Sequence, residues 1–375
     1  MSENSASQIP ILIASSLKPT QDTRAWGKLG ISLRETNRYA LNIIGFSSKK
    51  EENLSNATFY SSFAKPGFAL SRVVSMLRLV QILVRVRPKI LICCTYEFLP
   101  VASFFKNIIG YRLVYDVQEN YVANLDLNPL LSDSKKVKAA KLIRKMEATN
   151  AVDLYFLAEQ CYRKEMPLKS PFLVLENRYQ GQVSEKSQVN FGQKNEFSFL
   201  ISGTITPAFG VSEAIIWFIE ILKKYPKSSL LIMGQVTLPY YQHALEKIAG
   251  NNPQITFQTS PLPLSHKAIL NAYSEVDFAL LPYQKHPAIW DKMPTKLFEA
   301  AALGVPVLVS PNPTWLDFLN NFEGGFPIDF LNVESAITQF DQAKLQTFFT
   351  ERPSESILWQ SQEHTFLQSI ESLFS

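Results

Sequence analysis

Residues 291–309 read DKMPTKLFEAAALGVPVLV, and this stretch decides the fold. A helix is predicted to begin at Pro294 and Thr295, because proline suits the first helical turn and threonine suits the cap. Three successive alanines, 300–302, let that helix pack closely on a sheet. Gly304 then turns the chain into an apolar run, 305–309, that is typical of a buried strand. A helix followed at once by a buried strand indicates an α/β domain with a parallel sheet.

The same alternation of short apolar runs and helical patterns continues in both directions. Before residue 180, strands are predicted at 9–14, 40–46, 90–94, 112–116, 154–157 and 172–175. After residue 196, they are predicted at 197–201, 229–233, 255–257, 278–281 and 305–309. Helices are predicted between the strands, including one at 24–36, and a last amphipathic helix is predicted at 354–373. The pattern predicts two successive doubly wound units, each with a parallel sheet.

The chain is long enough for two domains. Its 375 residues exceed the usual size of a single hydrophobic core. A polar segment, 179–196, has the composition of a linker. We therefore predict an N-terminal domain at 1–185 and a second domain at 186–353. The C-terminal helix, 354–375, is predicted to pack back on the first domain.

Charge is unevenly distributed along the chain. Residues 1–185 hold 25 Lys and Arg against 16 Asp and Glu, whereas residues 186–375 hold 12 against 17. The basic excess lies in two predicted helical stretches, 71–87 and 134–148. Such stretches are typical either of an ordinary solvated helix face or of a face that docks on anionic lipid. No zinc-finger or RNA-recognition motif accompanies them, so nucleic acid is not an expected partner.

Cysteine usage and the apolar runs indicate the compartment. Cys93, Cys94 and Cys161 have no metal-ligand spacing, so we expect reduced thiols and no metal site. The first ten residues lack the segments of a signal peptide, and no apolar run is long enough to span a bilayer. We expect a cytoplasmic protein, with peripheral contact at the inner face of the membrane through the basic helices.

The predicted helix after Pro294 has the chemistry of a nucleotide site. A helix N-terminus favours a diphosphate, and Lys292 and Lys296 add positive charge beside it. Glu299 lies one turn further along, where a carboxylate can accept hydrogen bonds from both ribose hydroxyls. In parallel sheets, ligands bind beyond the carboxyl ends of strands, and Gly203 and Thr204 follow another predicted strand. A plain strand–helix turn would also account for Gly203.

The segment KLFEAAALGVPVLVS resembles the nucleotide-sugar motif of the "glycosyl transferases group 1" family, the retaining GT-B enzymes. Other segments, in family order, are TQDTR at 20–24, TYEFLP at 95–100 and VYDVQENY at 114–121. The resemblance covers residues 9–320. It implies two Rossmann-like domains facing a central cleft, a nucleotide-sugar donor as co-substrate, no metal and no other cofactor.

The resemblance also implies roles for individual residues. Glu299 corresponds to the acid that holds the donor ribose, and Asp291, eight residues earlier, to the acid that contacts the transferred sugar. The candidates for catalysis are Asp291, Lys296, Gln118 and Arg24. The candidates on the acceptor side are Asp22, Glu97, Asp116 and Glu119, and those for the nucleotide sugar are Gly203, Thr204, Lys292, Pro294 and Thr295.

Three positions depart from the family pattern. Gln118 stands where the family has histidine, and Thr204 and Phe209 stand where it has the arginine and lysine that hold the diphosphate. The positive charge that the family's arginine and lysine supply would have to come from Lys296, Lys292, Arg178 or Arg24. Of the four histidines, His286 is a candidate sugar contact.

The resemblance predicts transfer of a sugar, with retention, to a polysaccharide or a lipid-linked glycan precursor, as in bacterial polysaccharide biosynthesis. Two other hypotheses remain open. One is a non-catalytic protein of the same fold that binds a nucleotide sugar or serves as a scaffold. The other is a nucleotide-sugar epimerase, which would need acid and base residues around the sugar.

Overall fold

A computed structural model describes residues 8–47, 51–61, 69–185 and 188–374. The chain divides into two compact units. The first contains Met1–Gln180 and Gln362–Ser375, and the second contains Gly181–Ser361. The division therefore falls at 180/181 and 361/362, where the sequence predicts 185/186 and 353/354.

The first unit is built on a parallel sheet of seven strands. In spatial order they are β3-β2-β1-β4-β5-β6-β7, with bounds β1 Ile9–Pro19, β2 Tyr39–Phe46, β3 Ala57–Ser61, β4 Ile90–Cys93, β5 Arg112–Val117, β6 Leu154–Leu157 and β7 Phe172–Val174. The helices are α1 Ile31–Glu35, α2 Ala69–Val86, α3 Leu99–Ile109, α4 Asp133–Glu147 and α5 Tyr162–Glu165. A π-helix, Ala25–Gly30, precedes α1, so the helix predicted at 24–36 is not a continuous α-helix.

The second unit has a six-stranded parallel sheet in the order β11-β10-β9-β12-β13-β14. Its strands are β9 Ser198–Thr204, β10 Ser229–Gln235, β11 Ile255–Ser260, β12 Phe278–Leu281, β13 Val307–Val309 and β14 Gly325–Pro327, and a separate antiparallel pair joins β8 Val189–Asn190 to β15 Thr347–Phe348. The helices are α6 Val211–Lys224, α7 Pro239–Ala249, α8 His266–Tyr273, α9 Thr295–Leu303, α10 Pro313–Asn320 and α11 Val333–Ala343.

Aromatic side chains fill the core of the second unit. Phe199 on β9 lies 5.3 Å from Trp217 on α6 and 5.9 Å from Phe278 on β12, measured between ring centroids. Phe191 is buried, and its ring lies 4.6 Å from that of Phe278. The segment predicted as a linker, 179–196, therefore contributes β8 and a core side chain to the second unit.

The last helix, α12 Gln360–Glu371, is shorter than the predicted 354–373. Most of it belongs to the first unit, although the chain just before it belongs to the second. Phe366 is fully buried, and its ring lies 5.6 Å from that of Phe156 on β6. Gln362 exchanges two hydrogen bonds with the backbone of Glu176. These contacts attach α12 to the first sheet.

Candidate functional site

The strand order of the second sheet places one binding crevice in that unit. β9 and β12 are neighbours, but the chain leaves β9 towards β10 on one side and leaves β12 towards β13 on the other. Such a switch in direction opens a crevice beyond the carboxyl ends of the two strands. Gly203 and Thr204 end β9, and the segment 282–294 follows β12. Most donor-site residues predicted from the sequence therefore lie at this switch point.

Lys296 reaches back over the end of β9. Gly203 has a φ of +103°, and a Cβ atom added there would lie 2.5 Å from Lys296 Cε and 2.6 Å from its Nζ. A glycine is needed both for this backbone conformation and for the close approach of the lysine. Nζ forms no hydrogen bond or ion pair with any residue in the described ranges. The ammonium group is thus held at the crevice with its charge available to an anion.

The start of α9 lies beside this ammonium group. Pro294 is the N-cap and Thr295 the first helical residue, the reverse of the predicted roles, and no side chain caps the helix. Pro294 lacks an N–H, and the amides of Thr295 and Lys296 donate no hydrogen bond within the described part of the chain. Free amides and the helix dipole make this end electropositive.

Glu299 lies one turn further along α9, with 11% of its side chain exposed. Its Oε1 is 2.8 Å from His266 Nε2, at the first residue of α8. Because an ionised carboxylate only accepts, the imidazole must donate through Nε2. Oε2 accepts no hydrogen bond from the residues described, which leaves it available to a ligand hydroxyl.

Tyr283 lies close to both charged groups. Burial raises the pKa of Tyr283, the Lys296 ammonium lowers it, and the Glu299 carboxylate raises it again. The Tyr283 ring packs 4.6 Å from that of Phe209. The aromatic side chain at position 209 therefore supports the site by packing, where the family resemblance implies a cation.

The segment that carries Asp291 is held by its backbone. Asn312 Nδ2 donates to Trp290 O at 2.8 Å, and Trp315 Nε1 donates to Lys292 O at 2.7 Å. These bonds fix the residues on either side of Asp291, whose exposed carboxylate forms no hydrogen bond or ion pair with described residues. Lys292 is half-buried in the same segment. The position of Asp291 is therefore set while its carboxylate remains free.

Two further expectations concern Thr204 and His286. Thr204 is exposed at the end of β9. His286 is half-buried, and its Nδ1 accepts a hydrogen bond from Ala288 N at 3.1 Å. One nitrogen of this imidazole is therefore engaged in a local turn.

In the first unit, the Arg24 side chain is engaged within its own domain. Its guanidinium is buried and donates to both carboxylate oxygens of Asp116, at 2.7–3.0 Å, and to Leu175 O at 2.8 Å. Burial alone would lower the pKa of Arg24, but the charge and hydrogen bonds of Asp116 raise it. Arg24 and Asp116 neutralise each other inside the domain, so neither is open to a substrate.

Gln118 is positioned by the same ion pair. Its Nε2 donates to Asp116 Oδ2 at 2.9 Å, and its Oε1 accepts no hydrogen bond from the residues described. The amide therefore presents an acceptor, not the charge that a histidine could carry. The half-buried Gln118 is the predicted catalytic residue of this unit that keeps a free polar atom.

The other acceptor-side candidates, Glu97, Asp22 and Glu119, form hydrogen bonds or ion pairs with other residues of the first unit. Glu97 is 2% exposed, with Ser16 donating to it at 2.6 Å and Arg72 paired with it at 3.2 Å, so it is not open to an acceptor. Asp22 Oδ1 accepts from the backbone amides of Arg24 and Ala25. Glu119, half-buried, accepts from Asn124 at 2.9 Å.

His266 is the site residue that sequence reasoning missed. It stands at the start of α8 and meets Glu299 only because α8 packs beside α9. The sequence offers one indication of this role: His266 lies in the helical pattern between the strands predicted at 255–257 and 278–281.

Two kinds of feature are absent from the described residues. No group of three or more His, Cys, Asp or Glu side chains there could hold a metal ion. No helix there is long and apolar enough to cross a membrane.

Comparison with known proteins places these features in a family context. Residues 182–355 match the family described as "Glycosyl transferases group 1". No curated protein matches the sequence significantly. Among solved structures, the chain is similar to sucrose-phosphate synthase from Thermosynechococcus elongatus, at 11% identity and a TM-score of 0.71, covering 98% of this chain and 99% of that one.

Two other solved structures are informative. HepE from Anabaena, in complex with UDP and glucose, has 12% identity and a TM-score of 0.59, with 97% of this chain and 100% of that one covered. A Listeria monocytogenes protein assigned as UDP-N-acetylglucosamine 2-epimerase has 12% identity and a TM-score of 0.59, with 98% and 97% covered. At such identities the likeness establishes the fold alone, and the predicted GT-B fold is confirmed.

Proposed function

We propose that this chain, whose residues 182–355 match the glycosyl transferases group 1 family, transfers a sugar from a nucleoside-diphosphate sugar to an acceptor hydroxyl. One observation carries the proposal. The Lys296 ammonium, which has no ion-pair partner among the described residues, lies against the Gly203 backbone beside the uncapped start of α9, with Glu299 one turn further along that helix. This arrangement supplies two sources of positive charge for a diphosphate and an acceptor for the ribose.

The chemistry required of these residues is stabilisation of the leaving group. As the sugar departs, negative charge grows on the diphosphate, and Lys296 with the N-terminus of α9 is placed to stabilise it. We propose that this occurs without a metal ion. In that role the lysine and the helix act on the transition state more than on the bound donor.

The finer details of the reaction follow from the family resemblance. We propose retention, with the acceptor hydroxyl attacking on the face from which the diphosphate leaves and a phosphate oxygen taking the proton. Asp291 would contact the transferred sugar, because its segment is fixed and its carboxylate free. Gln118 would accept a hydrogen bond from a substrate hydroxyl through Oε1.

The acceptor class is proposed from the charge of the first unit. A polysaccharide or a lipid-linked glycan precursor fits, and a precursor at the inner face of a membrane fits best, because residues 1–185 are strongly basic.

The proposal is tested first by ligand-induced thermal stabilisation. UDP, GDP and dTDP are added to the purified protein, and one of them should raise Tm by several degrees, since saturation at about 100 times Kd adds about 2.7 kcal/mol to stability. Glu299→Ala should weaken binding of that nucleotide tenfold or more, because hydrogen bonds to a charged group contribute about 1.5–3 kcal/mol.

A matched control is Glu246→Ala, which removes an exposed glutamate from another His–Glu pair, on α7. It should leave nucleotide affinity unchanged. Wild-type affinity in folded Glu299→Ala would disprove the donor site.

The reaction products distinguish the proposed transferase from the two alternatives, an epimerase and a non-catalytic scaffold protein. A transferase releases free nucleoside diphosphate only when an acceptor is present, whereas an epimerase converts the donor sugar without releasing it. A scaffold protein, which the departures at Gln118, Thr204 and Phe209 favour, would bind the nucleotide without turnover. Incubating the donor with and without a membrane extract, and measuring nucleotide release, distinguishes all three.

A further inference from the structure

Three helices of the first unit expose apolar side chains outward. α2 and α3 contact each other, α3 contacts α4, and all three contribute to one apolar core. Other large apolar side chains of α2 and α3 are 48–66% exposed: Val73, Val74, Leu77, Val84, Phe104 and Ile108. An exposed apolar patch on adjacent helices is typical of a binding surface.

The third helix adds a dense positive charge. α4 buries only Ile143, so its other side chains are partly or fully open to solvent. The three helices together hold ten Lys and Arg against two acidic residues, Asp133 and Glu147. Seven of the ten cations form no ion pair with described residues: Arg78, Arg85, Lys135, Lys138, Lys141, Arg144 and Lys145.

We propose that the outward faces of α2, α3 and α4, here called the three-helix face, dock on the surface of an anionic lipid bilayer. Leucine, valine and phenylalanine side chains would enter the boundary between head groups and acyl chains, while the lysines of α4 meet lipid phosphates. The combination argues for a membrane, because an apolar protein partner would not require so many unpaired cations. The lipid-linked acceptor of the proposed function would then lie in the surface that the protein contacts.

The test is sedimentation of the full chain with vesicles. Binding to vesicles containing phosphatidylglycerol should be strong at low salt and weak at high salt, and binding to phosphatidylcholine alone should be weak. Replacing Lys138, Lys141 and Lys145 together with Gln should weaken binding about a hundredfold, since each basic side chain contributes roughly a factor of five. Leu77→Gln with Phe104→Gln should also weaken it, with no change in charge.

A control variant carries the same loss of charge elsewhere. Lys89, Lys227 and Lys247 are exposed and form no ion pair with described residues, so their replacement with Gln should leave vesicle binding nearly unchanged. Circular dichroism and Tm verify that every variant is folded. Equal binding to both vesicle types, or equal loss in the control, would overturn the proposal.

The same experiments distinguish a lipid bilayer from a second copy of this chain as the partner of the three-helix face. If the face is an interface between two copies, sedimentation equilibrium will show a dimer that Leu77→Gln disrupts, and the wild-type chain will not bind vesicles. Nucleotide-induced stabilisation is measured separately on the same variants and should persist. If the wild-type chain fails to bind the anionic vesicles but keeps the thermal shift, only the docking is contradicted, whereas vesicle binding without any shift contradicts the transferase.

Discussion

The two oxygens of the Glu299 carboxylate have different surroundings. Oε1 is held by His266, and Oε2 has no partner among the described residues. A carboxylate that is fixed through one oxygen loses less conformational entropy when the other binds a ligand. We therefore propose His266 as a positioning residue for ribose recognition, because it would act through Glu299.

His266→Ala should reduce discrimination between the bound nucleoside diphosphate and its 2′-deoxy analogue. In the wild type the ribose form should bind about tenfold or more tightly, since a hydrogen bond to a charged group is lost in the analogue. The ratio of the two Kd values, measured by calorimetry, should fall towards one in His266→Ala. His266→Gln, which keeps a donor, should restore part of it.

A general loss of stability would lower both affinities without changing their ratio. If His266→Ala keeps the wild-type ratio, the histidine has no part in ribose recognition.

The sequence predicts the position of individual residues well where that position depends on local structure. Lys296 and Glu299 were predictable because both belong to the turns that begin one helix. The partners of Glu299 and Arg24 were not, since His266 and Asp116 meet them only after distant elements pack together. An arginine near a predicted strand end gives no sign of whether its partner is a ligand or a buried aspartate.

At the scale of elements, the end of β9 and the start of α9 act as one unit. The bare backbone of Gly203 provides the space in which the Lys296 side chain lies. Any side chain at position 203 must both adopt an unfavourable φ and displace the lysine.

Gly203→Ala should lower turnover at least tenfold with a modest loss of stability, because the displaced ammonium no longer stabilises the leaving group. The matched control is Gly250→Ala at the end of α7, where φ is also positive but no atom lies within 4 Å of an added Cβ. Steady-state kinetics with the donor, together with Tm, separates the two variants. Equal activity in both would show that the contact with Lys296 is unimportant.

Strands that form a continuous apolar run in the sequence were predictable. A strand whose residues alternate between buried and half-buried positions was not. β4 and β12 are fully buried and were read correctly from the sequence. β3 alternates buried and half-buried residues at the sheet edge and gave no such run. The sequence predicts one helix at 24–36, whereas the structure has a π-helix followed by α1. The apolar pattern of the π-helix resembles that of an α-helix.

At the scale of the whole molecule, the first unit depends on residues from both ends of the chain. Phe366 on α12 is fully buried and packs against Phe156, although the whole second unit, Gly181–Ser361, separates these parts of the sequence. Packing of the final helix on the first domain was predicted, but the residues that would make the contact were not, because an amphipathic pattern does not identify its partner.

Phe366→Ala should destabilise the first unit by about 3–5 kcal/mol, as is usual when a buried phenylalanine is truncated. Hydrogen exchange followed by mass spectrometry resolves the units, and faster exchange is expected in β5 and β6 with little change in β9 and β10. Phe374→Ala, at a residue 41% exposed in the same terminal segment, serves as the control and should have a small effect. Uniform acceleration across both units would contradict the assignment of α12 to the first.

The path of the chain also sets an order of assembly. During synthesis, all residues of the second domain, 181–361, leave the ribosome before the last residues of the first domain do. The second domain can therefore complete its fold first. The domain made first must wait, with the β6 surface around Phe156 uncovered, until the last helix emerges. A nascent chain that is stalled before α12 should therefore bind chaperones through its incomplete first domain, even though its second domain is already folded.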